Sequence, residues 1–400
     1  MPRSRPRISD VSHTPTPSSP GVPDPGNEPI PPFFNTTFST HRVSPLYLGK
    51  QDLDAARLAQ LAHRLRDTLV GDVVRGIQIG LESTDTPVGQ VGALRTVKIR
   101  WFKATDILGE DVSSEPGTEG LEKGLWIDIR HENASYVALL LPSTASPTVP
   151  TASSWTARAG RGKDADESNR AFLHLPLLLL RMPLALKQVM GDWLSATFDC
   201  RVSKLALGTK TLLNVWEGWL RTCGISAKGP DCVITLTFNV PLAEQAVSDD
   251  ENAAEGAQPP GLRSMDMTIS PQDLRRFARA GEFIRKEPPK KSAWDDDPRE
   301  RRRLAGGNTD DGWAWRLDQD ATKQPFTDAF ALYLDRHLAL NLFHPSVRVS
   351  QISCSGFVLA QSRLKIVRHG EVSSDLSKAA WMFVKLLGDR LRGDELPTIF

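Results

Sequence analysis

The sequence predicts an α+β fold, largely antiparallel and broken by long disordered insertions, and three observations predict it. Amphipathic strand and helix patterns alternate through most of residues 33–400. Several strand patterns are joined by connections too short for a crossover, which favours antiparallel pairing. Between the patterned stretches lie segments rich in Pro, Ser, Ala or charge, whose few apolar residues cannot offset the entropy of ordering them.

The first such segment is the tail, 1–32, with TPTPSSPGVPDPGNEP at its centre. At Phe33 the composition changes: Phe33, Phe34, Thr36, Thr37, Phe38, Thr40 and Val43 suit a pleated strand, and Ser44-Pro45 ends it with a turn. A helix follows, with Leu58, Leu61, Leu65 and Leu69 on one face and Arg57, Gln60, Arg64 and Asp67 opposite. Residues 72–82 alternate as a strand around Ile77, Ile79 and Leu81. So does 95–102, with Val97, Ile99 and Trp101 on one side and Lys98 and Arg100 on the other. Residues 125–142 read as two strands meeting at Glu132-Asn133, 143–170 as a loop, and 171–182 as buried core before a helix from about Pro183. TKTLLNVWEGWLRTC carries Leu212, Trp216 and Trp219 in one stripe and stops at Gly224, where a left-handed cap is cheap.

The strand VITLTFNV leads into an acidic linker, 244–261, and a helix capped by Ser270 with Pro271 at its first position. A charged disordered loop is expected at 285–312. Beyond it Phe330, Leu334, Leu338 and Leu342 align on a helix that must end before Pro345, and 347–367 gives one or two strands. Two α+β regions result, 33–243 and 262–400, expected to share one continuous core.

Leu376, Ala380, Phe383, Leu387 and Leu391 stripe the last helix, and Trp381, Met382, Val384 and Leu386 widen the arc to about two-thirds of the circumference. Such a helix is covered on more than one side, by its own sheet or by a partner chain. A sheet edge near 357–366 would let a partner strand add, making Phe357, Leu359, Ile366, Trp381 and Val384 the candidate partner-binding residues.

A formal net charge of +1 gives no global attraction to DNA or to an anionic membrane, so any such contact must use a local patch. The four cysteines form no CxxC pair, which indicates neither a zinc site nor a disulfide framework. MPRSRPRISD has no apolar stretch behind it, so an intracellular chain is expected. The most apolar run, 171–186, is shorter than the roughly 20 residues a membrane span needs.

Catalytic motifs fail one by one. ARAGRGKD lacks the first Gly and the hydroxyl of a phosphate loop, His131-Glu132 lacks the second His of a zinc-protease helix, and SCSGF lacks the first Gly of a nucleophile elbow. No catalytic residue, metal or cofactor is expected. Arg95, Lys98, Arg100 and Lys103 form a candidate phosphate-binding groove, or else a merely solvated strand face. Lys290, Lys291, Arg301, Arg302 and Arg303 have the spacing of a bipartite nuclear-import signal, or of a solvated loop. Thr14, Thr16 and Ser19, each before Pro, are within reach of a proline-directed kinase.

NTTFSTHRVSPLYLG, the Leu-rich helix, GDVVRGIQIGL, WIDIRHENASYVALLLP and HLPLLLLRMP together resemble the fungal inner-kinetochore subunits related to centromere protein L. Arg42, Ser44, Pro45, Leu46 and Tyr47 lie in the most specific segment, and the likeness covers most of 33–183. The resemblance implies a curved mixed sheet with helices mainly on one face. It also implies a non-enzymatic nuclear protein that pairs with centromere protein N next to the centromeric nucleosome. Arg42 and Tyr47 are expected to be structural, tying the tail to the sheet through an anchor strand running from edge to core. The long insertions depart from the family pattern. A stand-alone, saddle-shaped DNA-binding protein is the alternative, and an unrecognised hydrolase the third.

Overall fold

The computed structural model describes residues 30–49, 52–74, 91–103, 107, 123–142, 171–225, 229–239, 262–284, 297–305, 313–317, 324–368 and 374–391. In chain order they form β1 (Thr37–Val43), β2 (Leu46–Tyr47), α1 (Ala55–Val74), β3 (Leu94–Lys103), β4 (Lys123–His131), β5 (Ser135–Leu141), β6 (Phe172–Leu173) and β7 (Leu177–Arg181). Next come α2 (Leu184–Phe198), β8 (Val202–Lys204), α3 (Thr209–Cys223), β9 (Cys232–Phe238), β10 (Ser264–Ile269), α4 (Pro271–Phe283) and α5 (Pro298–Ala305). A 3-10 turn (Ala314–Leu317), α6 (Pro325–Leu338), β11 (Val347–Ser353), β12 (Phe357–Ala360), β13 (Arg363–Ile366) and α7 (Ser374–Leu391) complete them.

Eleven strands build one open sheet, in the order β10-β9-β11-β12-β13-β1-β7-β5-β4-β3, with β8 also paired to β1. All the strand pairings are antiparallel, and the short connections of the β4–β5, β11–β12 and β12–β13 hairpins require it there; a lone parallel bridge joins Phe34 to Ile366. β2 and β6 make a separate two-stranded ladder. Pro31–Phe400 is one compact unit.

Side-chain alternation divides the core into two layers. Leu177 and Leu179 of β7 and Val137, Leu139 and Leu141 of β5 point into a cluster with α3, α4, α6 and α7. Leu178 and Leu180, with Ala138 and Leu140, point the other way, onto α1 and α2. β5 and β7 are thus buried on both faces, which explains their continuous apolar runs. Most helices lie on the first face. On the second, α1 and α2 cover only the β3–β7 half.

Local chemistry sets the elements where the sequence placed them. α1 buries Leu58, Leu61, Leu65 and Leu69, each worth about 1.5–3 kcal/mol relative to exposure. Gly224 takes φ +67° and donates its N–H to the Leu220 carbonyl, ending α3. The Ser270 side chain accepts from the Asp273 N–H to cap α4.

Four expectations change. The stretch from Phe33 leads not to an edge but to β1, held between β13 and β7 at the middle of the sheet. Residues 72–74 continue α1, and the rest of the proposed 72–82 strand lies outside the described residues. α6 stops at Leu338, where Ala339 turns left-handed; Leu342 is buried beyond the helix. Within 285–312, residues 298–305 are helical because Asp297 caps them, its side chain accepting from the N–H groups of Arg299 and Glu300.

Candidate interaction surfaces

The residues expected to meet a partner are mostly core. Phe357, Leu359 and Ile366 are fully buried, and β12 and β13 are each paired on both sides, so no free edge exists there for a strand to join. Phe357 is instead ringed by Trp216, Trp219 and Phe383 in edge-on contacts at 5.0–6.1 Å. Val384 is buried under the same layer, with Ala379, Ala380, Phe383 and Leu387 of α7. The apolar excess of α7 therefore serves the molecule's own core. The Trp381 side chain lies outside the described residues.

The basic strand is divided by its own pleat. Lys98 and Arg100 share one face, whereas Lys103 falls with Ile99 and Trp101 on the other; Arg95 sits within a register shift between Leu94 and Thr96. Arg100 is half-buried, its guanidinium 4.7 Å from the Trp126 ring centroid. Lys98 stands opposite Asp128, which is buried and bound to Arg130 Nε at 2.8 Å. These four cations form no single groove.

The 42–47 segment is a structural corner. Ser44 exchanges two bonds with Arg201: its N–H donates to the Arg201 carbonyl (3.0 Å) and its Oγ accepts from the Arg201 N–H (2.9 Å). Pro45 is exposed, Leu46 is fully buried, and Tyr47 lies 5.3 Å from the Phe172 ring across the β2–β6 ladder. Arg42 is exposed on β1, opposite Leu177 and Ser203.

All four cysteines are free thiols; burial pushes Cys200, Cys223 and Cys354 up to about 11 and Cys232 higher still, so none is a ready nucleophile. Among the described residues no group of three or more His, Cys, Asp or Glu could hold a metal ion, and no helix is long and apolar enough to cross a membrane.

A model of the centromere protein L family matches residues 32–391, almost the whole chain. The chain belongs to the centromere protein L family. That membership makes it a kinetochore-associated protein of the centromere, with a part in chromosome segregation. Among curated proteins, none matches this one.

Two surfaces of the chain carry no signal in the sequence. At one end of the sheet, β10 pairs only with β9 among the described strands. Leu262 leads into it, and the helix that follows it, α4, packs on α6, a pair that exposes Phe283, Leu332, Tyr333 and Leu338. Half of the ten large apolar side chains exposed among the described residues thus fall on Leu262 and on this helix pair.

The second surface is the part of the second face formed by β13, β1 and β8, bordered by α2, whose Gly191 lies against Val202 of β8. Register puts Lys365 opposite Thr37, Arg363 opposite Ser39 and Lys204 opposite His41, all on that face. The three cations stand in a column at two-residue intervals, ~6.6 Å apart by strand geometry. His41 Nδ1 is buried without a hydrogen-bond partner, and burial holds the ring's pKa below its usual value, with Lys187 and Lys204 adding to the effect.

Proposed function

We propose that this chain is a non-enzymatic scaffold subunit of the inner kinetochore that heterodimerises with a centromere protein N-type subunit through the β10 end of its sheet. The observation that carries this reading is an edge strand, β10, among the described strands, together with the exposed apolar side chains of Leu262 and of the α4–α6 pair that follows it. A partner strand added to β10 gains main-chain hydrogen bonds, while Phe283 of α4 and Tyr333 of α6 supply exposed apolar area for the same partner. Other inner-kinetochore subunits and the centromeric nucleosome are then reached mainly through the partner, in the nucleus. Co-expression with the partner followed by size-exclusion chromatography tests the pairing. A single peak holding both chains supports it, and separate elution of two folded chains contradicts it.

A second reading, direct contact with DNA, is favoured by the Lys365–Arg363–Lys204 column in place of the β3 cations first expected. Regular cation spacing along one sheet face suits the phosphates of one strand, and exposed Thr37 beside it can donate to a phosphate oxygen. This contact supplements the heterodimer and gives no sequence specificity, because nothing on the face reaches base edges in a fixed geometry.

A further inference from the structure

The basic cluster at 299–303 is a docked helix. We propose that it is a nuclear-import signal held shut, and that Asn239 is the clamp. This rests on the nuclear reading above, and adds a structural control that the reading does not need. α5 is eight residues long, too short to persist by itself in water. Its start is capped by Asp297, and Arg303 is bound to Glu300 through two bonds of 2.8 and 2.7 Å. Its end is fixed from outside: Asn239 Nδ2, at the end of β9, donates to the Leu304 carbonyl at 2.7 Å and approaches that of Arg303 at 3.5 Å. These are carbonyls that a helix C-terminus leaves without partners of its own.

An import receptor that reads Arg301, Arg302 and Arg303 in succession needs their side chains in a row along an extended backbone. On a helix, consecutive side chains diverge by about 100°, so only part of the cluster faces any one groove. Receptor binding therefore requires α5 to open. The apparent affinity is the intrinsic one reduced by the open fraction. Losing one such hydrogen bond raises that fraction about fivefold, within the usual range for a single neutral bond.

The experiment measures binding of purified importin-α, without its own inhibitory segment, to the full-length chain, together with amide exchange over 298–305. Asn239→Ala keeps the backbone bond from Asn239 N–H to the Ser346 carbonyl, so the sheet is spared. It should exchange faster over α5 and bind about fivefold more tightly. Asp297→Ala, which loosens the other end, should act in the same direction. Replacing Arg301, Arg302 and Arg303 together by Ala should abolish binding. If the triple variant binds as the wild type does, the cluster is no import signal. If the triple variant loses binding while Asn239→Ala exchanges faster yet binds unchanged, the signal stands and the clamp is wrong. Neither outcome bears on the pairing at β10.

Discussion

Glu217 shows how much one side chain holds. It is buried in α3, and its Oε1 accepts from both the N–H and the hydroxyl of Thr327, each at 2.9 Å, in the first turn of α6. A carboxylate at a helix N-terminus is favoured, yet burial dominates and raises its pKa above the usual carboxylate range. The folded state then holds the proton more tightly than the unfolded one. This group's contribution to stability is therefore greatest at acid pH and falls as pH rises through the folded pKa. Glu217→Gln keeps the acceptor and removes the titration, so its stability relative to wild type should rise between pH 4 and 7 in denaturant melts. Glu217→Ala should cost about 1–3 kcal/mol by leaving the Thr327 donors buried and unmatched. Gly281 is a second such point: a Cβ there would lie 1.7 Å from the Pro325 carbonyl oxygen. Gly281→Ala must push α4 off α6, and a drop in melting temperature equivalent to about 1–3 kcal/mol or more is expected. Neither residue stood out in the sequence, because a lone Glu or Gly in a helical pattern carries no sign of what will pack against it.

At the scale of elements, legibility followed pattern strength. α1, β3, β4, β5 and α4 were readable because each has an unbroken period and a turn or cap at its boundary, such as Glu132-Asn133 or Ser270-Pro271. β10 was missed although SMDMTI alternates strictly, because it is only six residues long, contains no Val, Phe or Tyr, and follows directly on a stretch read as linker. α5 was read as loop because its charge density suggested disorder, although Asp297-Pro298 is itself a helix-start signal. The β12–β13 hairpin was recognised as strand but misplaced, since its neighbour β1 lies more than 300 residues away in sequence and no local pattern records that pairing. Leu359→Ala tests the correction: with the side chain fully buried, it should destabilise the chain by about 2–5 kcal/mol, seen in urea melts. Binding of the partner by the fraction that remains folded should be unchanged.

For the whole molecule, the sheet has two described ends and one face that helices cover only in part, and these determine what it can meet. The cation column on that face is a consequence of strand order: Arg363 and Lys365 come together with Lys204 only because β13 and β8 follow one another along β1. No sequence pattern could have joined them, and the basic strand that looked more promising was split by alternation. Replacing Lys204, Arg363 and Lys365 by Glu should weaken duplex DNA binding. It should also lower the slope of log affinity against log salt by about 0.9 per lost phosphate contact, roughly 2.7 in all, without altering the melt. The pairing at β10 is an apolar and main-chain contact and should survive those changes. Phe283, 83% exposed, is the side chain to alter there, because it contributes least to the folded chain and most to an interface. The direct measurement is co-elution of Phe283→Asp with the centromere protein N-type partner on size-exclusion chromatography. The account predicts that the variant melts like the wild type and elutes apart from its partner at concentrations where the wild-type pair runs as one peak. A variant that still co-elutes as the wild type does, with the same dissociation constant, would place the interface away from the β10 end and contradict it.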